Sequence, residues 1–355
     1  MSEWEPQVVK IEEVKKHPNA DRLDIVKVLG DYPVIVKRDE YKVGDLASYI
    51  PIDTIVDLNK PVFTFLKNKR IKAARLRGIY SQGLLVEAPE GFKVGDDIVE
   101  YFGIQKHVYP EEIEDLSSLP EEERKRFCFP DKTIAANTRS GNIESPPKGW
   151  TPPHYDLQAL RKFGKVFEDG EEVVLTEKLD GCNAFFRYDG DRHWVKSRKL
   201  FKKEDNADLW WEAFKRLGFD EMIKSTPDFG YYGELYGQVR PFFYDCELNG
   251  CKILTQIRIF DVFSFKDGQF LDYDDMVRLA KDLGLPLVPE IYRGPWKSDK
   301  ALYELAEQDT LLTPKIKQGT RIMEGFVARP IKERYAHFGR VVLKLKSERY
   351  NLVKK

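Results

Sequence analysis

Over the first hundred positions, apolar and polar residues alternate in short stretches. Val8-Val9-Lys10-Ile11, Leu23-Asp24-Ile25-Val26-Lys27-Val28 and Val34-Ile35-Val36-Lys37 have the period of half-buried strands. Turn-forming residues separate them: His17-Pro18-Asn19-Ala20-Asp21, Leu29-Gly30-Asp31 and Lys42-Val43-Gly44-Asp45. The last of these recurs as Lys93-Val94-Gly95-Asp96, and in both places it turns the chain ahead of an apolar strand. Evenly spaced short strands of this kind predict a small closed barrel over residues 1–105.

From 106 to 150 the pattern changes. Glu111 to Arg126 is dense in charge and reads as a solvated helix. It is followed by Asn137-Thr138-Arg139-Ser140-Gly141-Asn142, Pro146-Pro147 and Pro152-Pro153, a linker composition. Strands and helices mix over 151–355. Glu172-Val173-Val174-Leu175-Thr176 reads as a strand, and Val341 to Lys346 alternates as one. Ala207 to Leu217, Tyr273 to Leu283 and Lys300 to Glu307 carry apolar residues at helical spacing. Strand and helix do not alternate regularly, so the class is α+β and not a doubly wound parallel sheet.

Composition narrows the picture in two ways. Hydrophobic residues are 42% of the 355, enough for two globular cores. The net charge of -1 gives no bulk attraction for a polyanion, so any nucleic-acid surface must be local. No stretch reaches the ~20 apolar residues of a membrane span, and MSEWEPQ lacks a signal pattern. Cys128, Cys182, Cys246 and Cys251 form no CxxC pair, which suits an intracellular, reduced protein without a disulfide framework. Cys246 and Cys251 could be half of a metal site, but nothing suitably spaced completes it.

The sharpest chemical signal is Lys178-Leu179-Asp180-Gly181, entered from a strand through Thr176 and Glu177. Alone it also describes a surface turn, since Asp-Gly is a common turn dipeptide. An ordered series follows it: Ser197-Arg198, then Tyr232-Gly233-Glu234-Leu235-Tyr236-Gly237, then Ile259-Phe260-Asp261-Val262-Phe263, then Glu324-Gly325-Phe326-Val327, and finally Lys344-Leu345-Lys346. The residue types suit one chemistry. A lysine attacks only as the free amine, which neighbouring cations and burial favour over its ordinary pKa near ~10.4. Lys344 and Lys346, two apart on a strand, share a face and would offset the charge of a triphosphate. Asp180 and Glu324 are hard donors suited to Mg²⁺. Phe260 offers a flat face to a purine, and Arg198 a planar fork to phosphate.

In kind and order these segments resemble the six motifs of the covalent nucleotidyltransferase superfamily, the ATP-dependent ligases and mRNA capping enzymes. The resemblance implies that Lys178 attacks the ATP α-phosphorus and keeps AMP as a phosphoramidate. Glu177 and Glu234 would lie on the nucleotide, with Glu234 holding the ribose hydroxyls and Phe260 stacking on adenine. Lys344 and Lys346 would hold the α-phosphate. Arg198 would contact nucleotide or RNA phosphate. Glu324, Asp180 and Glu234 would serve Mg²⁺ or Mn²⁺. Outside such a series, Glu234 would read as an ion-pair member and Phe260 as core.

Lys178-Leu179-Asp180-Gly181-Cys182-Asn183 also fits the K-x-[DH]-G-x-N form of RNA ligases, which adds Asn183 to the site. DNA ligases and capping enzymes carry an OB domain after the last lysine motif. Here nine residues follow Lys346, against the ~50 of a folded module, and the barrel stands in front. That order resembles ATP-dependent RNA ligases with an N-terminal OB-fold module. The resemblance implies three parts: an RNA-binding module at 1–105, a linker at 106–150 and an adenylyltransferase domain at 151–355.

His17 to Leu23 looks like the opening of tRNA-binding OB domains. Arg70 to Gly78 and Ser81 to Leu85 resemble RNA-ligase modules. Lys67, Lys69, Arg70, Lys72, Arg75 and Arg77 form a basic run that could follow a phosphate backbone; solvated charges on a barrel edge would look the same. The expectation is a monomeric ligase joining RNA 3′-OH and 5′-phosphate ends, as in RNA repair. A DNA ligase, a capping guanylyltransferase or an inert RNA-binding protein are the alternatives. A fragment beginning near Thr151 is expected to form the lysyl-AMP adduct and to seal poorly.

Overall fold

The computed structural model describes residues 4–107, 143–147, 150–205, 208–237, 247–248, 251–252, 255–297, 300–312 and 322–353. The expected charged helix at 111–126, the segment 137–142, Cys128 and Cys246 lie outside them, as does the side chain of Cys251. The chain divides into two compact units.

The first unit contains residues 1–108 together with Asp156–Phe167 and Leu343–Lys355. Its short antiparallel strands form where alternation predicts them. Gln7–Lys10, Leu46–Ile50 and Leu84–Glu87 make one three-stranded sheet; Glu13–Lys16, Leu23–Val28 and Tyr32–Lys37 make another. Within Leu23–Val28 the buried positions are Asp24, Val26 and Val28. The Asp24 carboxylate, 2.8 Å from Arg38 Nε, also accepts the Asp39 N–H, as a buried charge must be answered.

The two KVGD repeats are the same turn, although the first leads into the strand Leu46–Ile50 and the second, contrary to expectation, into the short helix Val99–Phe102. In each, the Asp carboxylate accepts the Lys N–H at 2.7 Å. Gly44 and Gly95, with φ of +100° and +93°, donate to the Ile11 and Val8 carbonyls and so pin the first strand from both ends.

The two later segments are part of this unit. Gln158–Ala159 pairs in parallel with Leu343 and Lys344, and Ala159 joins the core of Val9, Ile11, Val26 and Tyr49. The helix Glu348–Val353 is tied by Asn351 Nδ2, which donates to Tyr80 Oη at 3.0 Å.

The second unit has a seven-stranded antiparallel sheet. It runs in the order Ile143–Glu144, Phe201–Lys202, His193–Ser197, Cys182–Tyr188, Phe229–Tyr236, Gln256–Ser264, Gln269–Phe270. Leu209–Arg216 and Tyr273–Asp282 pack on one face, over Ala184, Phe186, Val195, Tyr231 and Val262. The first of these helices begins at Asp208, whose carboxylate accepts the Trp210 and Trp211 N–H groups. Trp210 Nε1 then donates to Asn183 O and Trp211 Nε1 to Lys202 O, fastening helix to sheet. The opposite face carries Phe185, Tyr232, Phe263 and Phe270, with Trp150, Tyr155 and Phe260 against them. A second set of antiparallel strands places Glu172–Lys178 between Glu290–Pro295 and Gly325–Pro330.

Among the described residues the α+β reading holds, and the helices fall close to their expected spans. One strand is shorter than expected: it covers Leu343–Lys346, because Val341 turns to donate its N–H to Arg334 O. No described helix is long and apolar enough to cross a membrane.

Candidate active site

Glu172–Lys178 is buried at Val173, Val174 and Leu175, as a central strand should be. Its last residue, Lys178, lies opposite Gly325. The Lys178 ammonium donates to Glu324 Oε2 at 2.7 Å, and only 7% of the Glu324 side chain is exposed. Two of the sequence motifs are thus joined by register alone.

The chain then turns through buried Leu179 and Asp180 and returns as Cys182–Tyr188. Gly181 has no room for a side chain. A Cβ there would stand 2.2 Å from Leu235 O and 2.9 Å from Glu234 Cγ. The close approach matters because of what lies beside it. Asn183 pairs with Glu234, and Glu234 pairs with Arg258 on the next strand. Directly opposed residues on antiparallel strands project to one side, so three half-buried polar side chains form a row. Arg258 donates from Nε to Tyr236 Oη at 3.1 Å and from Nη1 to Leu287 O at 2.8 Å. It was not among the residues expected from sequence, where it is one polar position in an apolar strand; only the pairing reveals it.

Phe260 owes its position to an irregularity. Tyr232 pairs with Asp261 and Gly233 with Ile259, so the ladder skips Phe260. Such bulges re-aim side chains. The ring packs against Tyr155, 4.9 Å between centroids at 55°. Tyr155 donates to Asp261 Oδ2 at 2.7 Å, and the fully buried Asp261 also faces Arg329 at 3.2 Å and Arg340 at 2.9 Å. Burial would raise the Asp261 carboxyl. The two guanidiniums and the Tyr155 hydroxyl overrule it and hold the group below its ordinary value. The aspartate of the Ile259 to Phe263 motif therefore anchors the strand, and its neighbour Phe260 is left half-buried beside Tyr155.

A family model for RNA ligases matches residues 171–346, and one for an OB-fold domain matches residues 6–88. The chain carries a domain of the RNA ligase family behind an OB-fold module. Solved structures of Naegleria gruberi RNA ligase share the fold. A mutant with ATP and Mn is 20% identical, with a TM-score of 0.73 and coverage of 97% of both chains. The form with PPi is 20% identical, TM-score 0.70, covering 98% of both. A further mutant with AMP and Mn is 19% identical, TM-score 0.71, covering 98% of this chain and 97% of that one. No curated protein matches the sequence.

The remaining expected residues of the ligase fall in several places. Glu177 is 1% exposed; its carboxylate accepts from Thr310 Oγ1 and from Leu311 N. Burial raises it, against those two hydrogen bonds and the charge of Arg258. The side chain thus fastens Thr310–Leu311 to the strand that carries Lys178. Arg198 is exposed on the turn after Ser197. The buried Lys196 braces that turn, donating to Arg198 O at 2.7 Å.

Lys344 and Lys346 are both half-buried, with Leu343 and Leu345 buried, so they share one side of their strand as expected. That strand belongs to the first compact unit and Lys178 to the second. In the OB-fold module, Lys67, Lys69, Lys72, Arg75 and Arg77 are exposed. Arg70 instead donates to Asp53 Oδ1 through Nη2 at 2.7 Å. His17 is buried, its Nε2 on Leu76 O at 3.1 Å and its Nδ1 accepting the Asn19 N–H. Asn19 Nδ2 donates to Arg77 O at 3.1 Å, so the His17 turn holds the hairpin that presents Arg75 and Arg77.

Among the described residues no three His, Cys, Asp or Glu side chains converge to hold a metal ion. Glu324, Asp180 and Glu234, the carboxylates expected to serve a divalent ion, are thus not gathered into a three-carboxylate site.

Proposed function

We propose that the ligase seals RNA 3′-OH and 5′-phosphate ends, at nicks, through an AMP carried on Lys178. The observation that supports this most is the Lys178–Glu324 contact at the end of the central strand. The polar row of Asn183, Glu234 and Arg258 and the bulged Phe260 are in the same unit. The ATP, AMP, Mn and PPi in the related ligase structures support the same reading.

In the first step Lys178 Nζ, having lost its proton, bonds to the α-phosphorus of ATP as the bond to pyrophosphate breaks. The RNA 5′-phosphate next displaces the lysine and takes the AMP. The 3′-OH then attacks that 5′-phosphate, and AMP leaves. Phe260 stacks on adenine. Glu234, with Asn183 beside it, holds the ribose. Lys344 and Lys346 hold the α-phosphate, and Arg198 takes the nucleotide or the 5′-phosphate. Glu324, Asp180 and Glu234 are the carboxylates a Mg²⁺ or Mn²⁺ would take, and the ion would offset phosphate charge. The basic run of the OB-fold module grips RNA, and the ligase acts as a monomer.

The test uses nicked duplexes that differ only in the 2′-OH of the strand ending in 3′-OH, with ATP or GTP as donor. Sealing should require ATP and favour the ribose-ended nick. Equal sealing of the deoxyribose-ended nick would make the chain a DNA-tolerant joiner, and labelling from GTP alone would contradict the proposal.

A further inference from the structure

Charge is unevenly distributed in a chain whose net charge is -1. Between Asp57 and Glu87 there are seven basic residues and no acidic one. Arg70 in this stretch is spent on Asp53, and Arg75 lies 3.7 Å from Glu348. Lys67, Lys69 and Lys72 are exposed and form no ion pair among the described residues.

Within the same stretch is Phe65, 63% exposed. A large aromatic in water costs hydrophobic free energy, and its surroundings give a physical reason for it. The turn before it is fixed: Phe63 is fully buried, Leu66 N donates to Phe63 O, and Thr64 Oγ1 donates to Pro61 O. After it, Val56 N donates to Lys69 O and Ile71 N to Thr54 O, pairing the chain back onto the module. Phe65 is thus held outward on a turn anchored at both ends, two residues from Lys67 and four from Lys69.

We infer that Phe65 is a stacking platform for an unpaired nucleotide of the RNA substrate, with Lys67 and Lys69 on the adjoining phosphates. An aromatic face beside mobile cations is how proteins take single strands. Bases within a duplex keep their faces covered, so the same side chain gains nothing from paired RNA. The inference rests on the RNA-joining proposal and deepens it: beside the nicked helix that is sealed, the OB-fold module reads an unpaired stretch of the substrate.

The test is equilibrium binding of the full chain to a short single-stranded RNA and to a blunt RNA hairpin of equal charge. Phe65→Ala should weaken single-strand binding by about fivefold to a hundredfold, the range of one lost base stack. Phe65→Trp should restore it, and hairpin binding should not respond to either change. Lys67→Ala should weaken both RNAs and reduce the salt slope by about one. Equal losses on both RNAs, or no loss in Phe65→Ala, would overturn the inference. So would a concentration-dependent dimer that Phe65→Ala abolishes, since the ring would then serve a second copy. AMP-adduct formation by the unaltered chain is measured alongside. Its absence would count against the ligase reading and would leave the binding comparison standing.

Discussion

Replacing Gly181 with alanine tests whether the site is assembled by close approach of two strands. The added Cβ would sit 2.2 Å from Leu235 O, more than an ångström inside ordinary contact, and 2.9 Å from Glu234 Cγ. The carbonyl cannot yield cheaply, because its strand, Phe229–Tyr236, pairs on both sides with Cys182–Tyr188 and Gln256–Ser264. The Lys178–Gly181 turn must therefore lift away, taking Lys178 from Glu324 and Asn183 from Glu234. Overpacking of this kind costs about 1–3 kcal/mol, within reach of a folded domain. An ångström of misplacement at the reacting group can cost about 100-fold in rate. Denaturant unfolding and the initial rate of AMP-adduct formation separate the two effects. The variant should stay folded and lose about two orders of magnitude in adduct rate. A rate within threefold of the parent would refute the close-approach argument.

Three other outcomes follow from the same geometry. Asp261→Asn leaves Arg329 and Arg340 without their buried carboxylate; it should cost about 3–5 kcal/mol and lower Tm by roughly 6–20 °C, and a calorimetric shift under 2 °C would contradict it. Burial raises the Glu177 carboxyl above 4.5 despite its two hydrogen bonds and Arg258. The fold therefore favours the protonated form, and stability falls as pH climbs from 4.5 through the raised value. Glu177→Gln removes that loss, so its Tm should gain on the parent with rising pH across the window; a difference independent of pH would refute the assignment. A fragment beginning at Thr151 loses the module that Ala159 and Asn351 pack against. The strand of Lys344 and Lys346 is then unsupported, so the adduct formation expected of this fragment from the sequence should instead fail; wild-type adduct yield from the fragment would show that strand to be self-sufficient.

Much of this was legible in the sequence where a signal is local. Strand alternation at Leu23–Val28, the twin KVGD turns and the strand leading to Lys178 follow from neighbouring residues alone. The ordered motifs named the chemistry. What escaped depends on pairing between distant segments. Arg258 matters because register sets it opposite Glu234. Tyr155 matters because a bulge turns Phe260 onto it. The grouping of Asp156–Phe167 with the first unit depends on a parallel pairing between Ala159 and Lys344, far apart in sequence. Glu177, beside Lys178 in sequence, likewise takes its partners from far along the chain, its carboxylate accepting from Thr310 and Leu311.

The most direct measurement is the intact mass of the purified chain after incubation with ATP and Mg²⁺, followed by peptide mapping. One AMP should be found, on the peptide that contains Lys178, and none on the Lys178→Ala variant. An adduct that persists in that variant, or an unmodified chain under every divalent ion tried, would contradict adenylyl transfer through Lys178.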